Sequence, residues 1–315
     1  MFDLTAERIV VTGGSGFLGR HVIAELLRHG APRHNILTPT HSEFDLTDED
    51  DVRALYAKLK PTVVIHLAAR VGGIGGNRDN PGLYFYDNLV MGLHLIEHAR
   101  LVGIKKFVQV GTICAYPKFT PVPFKEIDLW SGYPEETNAP YGIAKKALLV
   151  MLQSYRQQYG LNGIYLLPVN LYGPGDNFDP ASSHVVPALI RKFVEARNTG
   201  AKEVCVWGTG NASREFLYVE DAARAVVLAT ERYEGHEPVN VGAGFEITIK
   251  QLVIKIANLI GFDGSIFWDI SKPDGQPRRM LDTSRALGFG FEATTGFDDG
   301  LYRTLEWWML NQNYG

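Results

Sequence analysis

Through the first 170 residues, short β-branched and apolar runs alternate with longer stretches of helical periodicity. Arg8 to Thr12, Asn35 to Pro39, Thr62 to Leu67, Lys106 to Gly111 and Ile164 to Pro168 read as strands, and such near-continuous apolar runs suit a parallel sheet covered on both faces. Arg20 to Arg28, Pro81 to Val102 and about Pro140 to Tyr159 read as the helices between them. The alternation predicts an α/β fold, a Rossmann-like doubly wound parallel sheet with right-handed crossovers. After Tyr172 the rhythm breaks. A turn-rich departure leads to a helix opening at Ser183 to Phe193 and a strand at Glu203 to Trp207, and the chain returns to the sheet with a helix at Asp221 to Glu231 and a strand at Pro238 to Val241. A mixed tail closes with an amphipathic helix near Asp298 to Leu310. The expected division is therefore a sheet domain of residues 1–171 plus about 215–242, and a smaller C-terminal α+β lobe of about 172–214 plus 243–315.

Composition narrows the function classes. At 315 residues the chain can bury a large core. Its 31 Lys and Arg against 35 Asp and Glu give a net charge of −4, so no basic field exists to attract nucleic acid. Cys114 and Cys205 are too few for a disulfide framework or a cysteine metal cluster, which points to a reducing compartment and to no metal site. No apolar run approaches the roughly 20 residues of a membrane span. A strand pattern begins before a signal peptide could fit, so a cytoplasmic soluble protein is expected.

The candidate chemistry sits at strand ends. Gly13-Gly14-Ser15-Gly16-Phe17-Leu18-Gly19 lies between the first strand and the first helix, where glycines allow a tight turn and close approach of backbone to a pyrophosphate. The sheet domain is thus expected to bind a dinucleotide. Thr38 to Ser42, after the second strand, lacks the carboxylate that would accept the ribose hydroxyls of NAD, which favours NADP, although no arginine stands there to clamp its 2′-phosphate. Asp45 and Leu46 are placed to meet the adenine. Ala68 and Ala69 would let a cofactor lie against backbone, and Arg70 to Gly76 forms a glycine-rich loop able to fold over it. With strand periodicity continuing, Thr112 and Cys114 would point the same way. Cys114 reads either as a packed thiol or as a functional one. Tyr141 and Lys145, four apart on one helix face, form a pair in which the ammonium could favour the phenolate and make the tyrosine an acid or base for alcohol and ketone chemistry.

Gly13xxGly16xxGly19, Thr112 and Tyr141xxxLys145, in this order, resemble the extended branch of the short-chain dehydrogenase/reductases. Ala69-Arg70-Val71-Gly72-Gly73-Ile74, Cys114-Ala115-Tyr116-Pro117-Lys118, Asn138 to Lys146, Asn170 to Phe178, Ser183-His184-Val185 and Lys272-Pro273-Asp274-Gly275 resemble, more narrowly, the GDP-L-fucose synthase family, which epimerises and reduces GDP-4-keto-6-deoxy-mannose. The resemblance implies NADP(H) as cofactor and a GDP-sugar as substrate. It implies Tyr141 as proton donor to the carbon-4 oxygen, Lys145 as its tuning and ribose-binding partner, Thr112 as hydrogen-bond donor to that oxygen, and Cys114 and His184 as base and acid for epimerisation at carbons 3 and 5. Beyond the glycine loop, Asp45, Leu46, Ala68, Ala69, Pro168, Asn170, Leu171 and His184 would contact the cofactor, while Lys192, Trp207, Arg214 and Arg279 would hold the nucleotide and its diphosphate. A homodimer through residues 81–102 and 140–159 is also implied. The sequence departs from the bacterial pattern in Thr112, where Ser is usual, and in lacking the arginines that hold a 2′-phosphate, with Ser15 and Thr40 nearest those positions. Another GDP-keto-sugar reductase or epimerase, for example on a 6-deoxy-heptose, and a non-catalytic nucleotide-sugar sensor are the competing readings. A 4,6-dehydratase is disfavoured because Ile113-Cys114 stands where those enzymes place Asp-Glu.

Overall fold

β1 (Ile9–Thr12), buried at every position, pairs in parallel with β2 (Ile36–Leu37) on one side and β3 (Val63–His66) on the other. The computed structural model describes residues 2–72, 74–180, 182–272 and 276–311. Beyond β3 the sheet grows through β4 (Lys106–Val110) and β5 (Gly163–Pro168). The chain then leaves it for β6 (Asn170–Tyr172), β7 (Glu203–Trp207), β8 (Ser213–Arg214) and β9 (Phe216–Tyr218), and β10 (Val239–Val241) returns beside β5. The order β10-β5-β4-β3-β1-β2 is parallel throughout and reverses at β1, which opens a crevice at the C-terminal ends of β1 and β3.

The helices are α1 (Phe17–Arg28), α2 (Glu49–Leu59), α3 (Ile74–Asp79), α4 (Pro81–Val102), α5 (Ala139–Tyr159), α6 (Val185–Thr199), α7 (Val219–Arg232), α8 (Ile249–Ile260), α9 (Ser284–Leu287) and α10 (Phe297–Asn311). α2 and α8 were not expected from periodicity, yet each carries its own start signal: Asp48 accepts from the Asp50 and Asp51 N–H groups, and Thr248 and Gln251 form a capping box. α4 and α5 cross closely because a Cβ at Gly92 would collide with Leu148. No described helix is long and apolar enough to cross a membrane.

Two hydrophobic cores result. One surrounds the sheet; the other joins α6, β7 and α8, with Phe178 stacked on Trp308 at 4.2 Å between ring centroids. The chain recrosses to the first core late, through Leu281, Ala286, Phe289 and Phe291.

Two local expectations are corrected. The glycine-rich stretch after Arg70 does not stay open to Gly76: α3 begins at Ile74, and Asn88, fully buried, fixes the approach by accepting from the Arg70 N–H and donating to its carbonyl. Strand geometry also stops at Val110. Thr112 is the N-cap of a 3-10 turn over Ile113–Ala115, its hydroxyl accepting from the Cys114 N–H at 3.2 Å, so period-two alternation does not govern these side chains. Gly73 and the Pro273-Asp274-Gly275 motif lie outside the described residues.

Candidate active site

The glycine turn makes a cradle. Gly13 sits at φ +70°, and a Cβ there would lie 2.8 Å from the Ala68 nitrogen, so only glycine lets β1's exit press against the end of β3. A Cβ at Gly19 would collide with the Gly13 carbonyl, which brings α1 directly onto the turn. Gly16 caps α1 without a side-chain hydrogen bond, so the first-turn N–H groups face the crevice as an anion site. A dinucleotide pyrophosphate fits this arrangement. Ser15, Phe17 and Leu18 line the same turn, Ala68 is held by its N–H to the Thr12 hydroxyl at 3.3 Å, and Ala69 follows it. On the far side, Pro168 ends β5, and Asn170 and Leu171 start β6, with the Asn170 amide donating to the Glu215 carbonyl at 3.1 Å.

At the ribose end the structure adds a carboxylate that Thr38 to Ser42 lack. Glu43 folds back so that its Oε2 accepts from both the N–H and the hydroxyl of Thr40, each at 2.9 Å. Asp45 takes the N–H and hydroxyl of Thr47 at 2.9 and 2.8 Å, which hold its carboxyl below the usual carboxylate range. Leu46 is buried beside it.

Tyr141 starts α5 half-buried, with its hydroxyl hydrogen-bonded to the Thr112 side chain. Gly142 makes the contact possible, since a Cβ there would strike the Cys114 carbonyl and push the helix off the 3-10 turn. One turn on, Lys145 is 1% exposed, and burial draws its amine down to about 8. The expected phenolate is corrected by this geometry: burial, with Cys114 beside it, pushes the Tyr141 phenol above its ordinary range, and the Thr112 hydrogen bond only partly offsets that. Tyr141 is therefore a phenol at neutral pH, the form that can donate a proton.

Cys114 is half-buried and free, and receives the Arg279 guanidinium, whose Nη1 lies 3.9 Å from its sulfur. His184 comes from the other lobe as the N-cap of α6. Its surface is partly open to solvent, yet the protein packed around it desolvates the imidazole and lowers its proton affinity. No hydrogen bond joins it to Cys114 among the described residues. The remaining basic residues divide: Lys192 donates to the Cys205 carbonyl of β7 at 2.9 Å, on the strand that ends in the exposed Trp207, whereas Arg214 donates to the Gln276 carbonyl at 2.6 Å. Gln276 also takes Arg279 Nε on its side-chain oxygen at 2.8 Å, so it links the two arginines.

Three buried residues escaped the reading of the sequence. Tyr165 donates to the Lys145 carbonyl at 2.8 Å. Glu215, fully buried, accepts from the N–H groups of Ala243, Gly244 and Leu281 at 2.6 to 2.7 Å, and its desolvation still raises it to about 7. Asn240, also fully buried, accepts from the Tyr116 hydroxyl at 2.6 Å and donates to the Phe124 and Asp282 carbonyls at 2.9 and 3.1 Å. Each is a lone polar residue whose partners lie far away in sequence, so no local motif announces it.

Residues 9–242 match the model of the NAD dependent epimerase/dehydratase family. The chain is 42% identical over 311 residues to GDP-L-fucose synthase 1 of Arabidopsis thaliana, covering 99% of this chain and 95% of that one. Among solved structures it is similar to a GDP-L-fucose synthetase from Naegleria fowleri bound to NADP, with a TM-score of 0.91, 28% identity, and coverage of 100% of this chain and 96% of that one. It is also similar to a GDP-6-OMe-4-keto-L-xylo-heptose reductase from C. jejuni, with a TM-score of 0.90, 28% identity, and coverage of 98% and 99%. With the glycine cradle and the Thr112–Tyr141–Lys145 cluster in place, these similarities make the chain a member of the NAD dependent epimerase/dehydratase family, grouped within it with the GDP-L-fucose synthases.

Proposed function

We propose that the protein is an NADP(H)-dependent oxidoreductase with epimerase activity, converting GDP-4-keto-6-deoxy-D-mannose to GDP-L-fucose. The observation that supports this reading most is that Cys114, on the turn capped by Thr112, lies against Tyr141, so that a thiol suited to act as a carbon base neighbours a phenol suited to protonate a carbonyl oxygen. The glycine cradle of Gly13, Gly16 and Gly19 would hold the pyrophosphate of NADPH, which when bound would supply the hydride for carbon 4. Cys114, as thiolate, takes the proton from carbon 3 or carbon 5, both acidified by the adjoining ketone, and the electron pair passes to the carbon-4 oxygen. Thr112 and Tyr141 hydrogen-bond that oxygen as its charge grows. His184, protonated, returns a proton to the opposite face of the carbon; an anionic substrate in the same enclosure favours its imidazolium. Tyr141 then protonates the oxygen during reduction. Lys192 and Trp207 on one side and Arg214 on the other hold the nucleotide and diphosphate.

Incubation with NADPH and GDP-4-keto-6-deoxy-mannose is expected to yield GDP-L-fucose. A reduced but unepimerised product would reassign the protein as a simple GDP-keto-sugar reductase, and turnover confined to a seven-carbon GDP-sugar would move it to the heptose enzymes. The same assay is expected to favour NADPH over NADH by about tenfold in kcat/KM, equivalent to about 1.4 kcal/mol. The margin is modest because the Thr40 and Ser42 hydroxyls can meet a 2′-phosphate while the Glu43 carboxylate already occupies Thr40. A clear preference for NADH would overturn this reading of the loop.

The protein is further read as a homodimer. Leu83, Tyr86 and Leu93 on α4 and Val150 and Tyr159 on α5 are exposed apolar residues on two long helices packed side by side, a surface suited to a two-fold four-helix bundle. Light scattering at micromolar concentration is expected to give twice the chain mass of 35.0 kDa, and a monomer would remove the claim.

A further inference from the structure

We propose that Arg279 is the counter-ion that holds Cys114 as a thiolate, and that Glu215 and Asn240 act through it by fixing the segment that delivers it. The proposal rests on the reading of Cys114 as the epimerase base. Arg279 is 9% exposed, and its hydrogen bonds among the described residues go to the neutral Gln276 side-chain oxygen at 2.8 Å and to the Cys114 sulfur at 3.9 Å. A buried guanidinium needs an anion to offset its desolvation. A thiolate at the sulfur it already touches supplies one, and the same cation favours the deprotonated thiol. Tyr141, from α5, is also set against Cys114, and burial keeps it neutral.

The delivery of Arg279 is over-determined. Gln276 is itself tied down, its amide donating to the Lys118 carbonyl at 2.7 Å. One residue past Arg279, the Met280 carbonyl accepts from the Phe124 N–H at 2.8 Å; then Leu281 donates to Glu215 at 2.7 Å, and the Asp282 carbonyl accepts from Asn240 at 3.1 Å. Three anchors within three residues leave the guanidinium little freedom to swing away from the sulfur. Such preorganisation costs nothing at the moment of proton transfer. In the step itself Arg279 donates a hydrogen bond throughout and loses no proton: the thiolate takes the proton from carbon, becomes a thiol, and the electron pair moves to the carbon-4 oxygen.

The decisive readout needs no substrate. In a Cys205→Ser background, the rate of Cys114 alkylation by iodoacetamide is followed against pH with Arg279 intact, with Arg279→Gln and with Arg279→Lys. Arg279→Gln is expected to move the profile at least about one unit upward, a tenfold loss of thiolate at a given pH below the transition. Arg279→Lys, which keeps a charge but not the fork, is expected to fall between. Superimposable profiles for all three would overturn the proposal and leave Arg279 a substrate-binding residue only. As a second arm, exchange of the carbon-3 and carbon-5 protons with deuterated water is expected to fall about tenfold in Arg279→Gln near neutral pH and to recover as pH rises. A loss that is uniform across pH counts against the proposal, since it marks weakened substrate binding alone. Undiminished exchange by Cys114→Ser would sink the epimerase reading instead, whatever the alkylation profiles show, so the two failures remain distinct. NADPH binding by each variant checks that the fold is intact.

Discussion

Replacing Tyr141 with Phe is expected to cut ketone reduction at least about a hundredfold, the lower end of what general acid catalysis supplies, while coenzyme binding stays near that of the unchanged enzyme. The ring keeps its place at the start of α5, since Gly142 and the Cys114 turn set the approach of that helix without the hydroxyl. What disappears is the proton donor and its hydrogen bond to Thr112. Thr112 cannot substitute, because an aliphatic hydroxyl is a far weaker acid than a phenol. Because burial raises the Tyr141 phenol above its ordinary 10.0, its deprotonation is not expected to limit reduction anywhere below that pH. Single-turnover loss of NADPH absorbance measures the rate, and coenzyme fluorescence titration measures binding. Near-normal reduction by this variant would sink the assignment of Tyr141.

The second large effect separates epimerisation from reduction. Cys114→Ser is expected to slow exchange of the carbon-3 and carbon-5 protons by at least about a hundredfold, because a hydroxyl is a much poorer base than a thiol at neutral pH. The change is nearly isosteric, so Thr112, Tyr141 and Lys145 keep their geometry. Hydride transfer therefore continues, and the unepimerised ketone is slowly reduced to a GDP-6-deoxy-D-hexose. Mass-spectrometric deuterium uptake and sugar analysis of the product read the two outcomes separately. Exchange at the rate of the unchanged enzyme would show that Cys114 is only a packed thiol.

The parts of the molecule legible in the sequence are those whose signal is local. β1, the glycine turn, α4 and α5 announce themselves by periodicity and by residues a few positions apart, and α4 begins and ends where its pattern does, at Pro81 and Val102. The turn at Thr112 was not legible as a turn, because a threonine hydroxyl that caps Cys114 competes with the strand through a single hydrogen bond. Nor was the second carboxylate near the ribose end, since Glu43 reaches Thr40 only after the chain bends back. Arg279 reads as one of several basic residues until the fold places it on a sulfur 165 positions earlier. Long-range polar pairs of this kind carry no periodicity. They are visible only once the topology has brought their segments together.

Asn240 has a consequence for how this chain comes to be folded. Its partners Tyr116, Phe124 and Glu126 precede it by 124, 116 and 114 residues. At a synthesis rate of roughly 5 to 20 residues per second, the segment around Glu126 waits on the order of 6 to 23 seconds before the residue that satisfies it has been made. During that interval the glycine cradle, β1 to β5 and α5 can already assemble through nearer contacts, whereas the covering over Tyr116 to Glu126 cannot lock. Closing so long a loop for a few hydrogen bonds is entropically unfavourable until β10 pairs with β5 and brings Asn240 into register. Locking of the covering over Tyr116 to Glu126 therefore waits on β10, the last strand in the chain to join the six-stranded sheet.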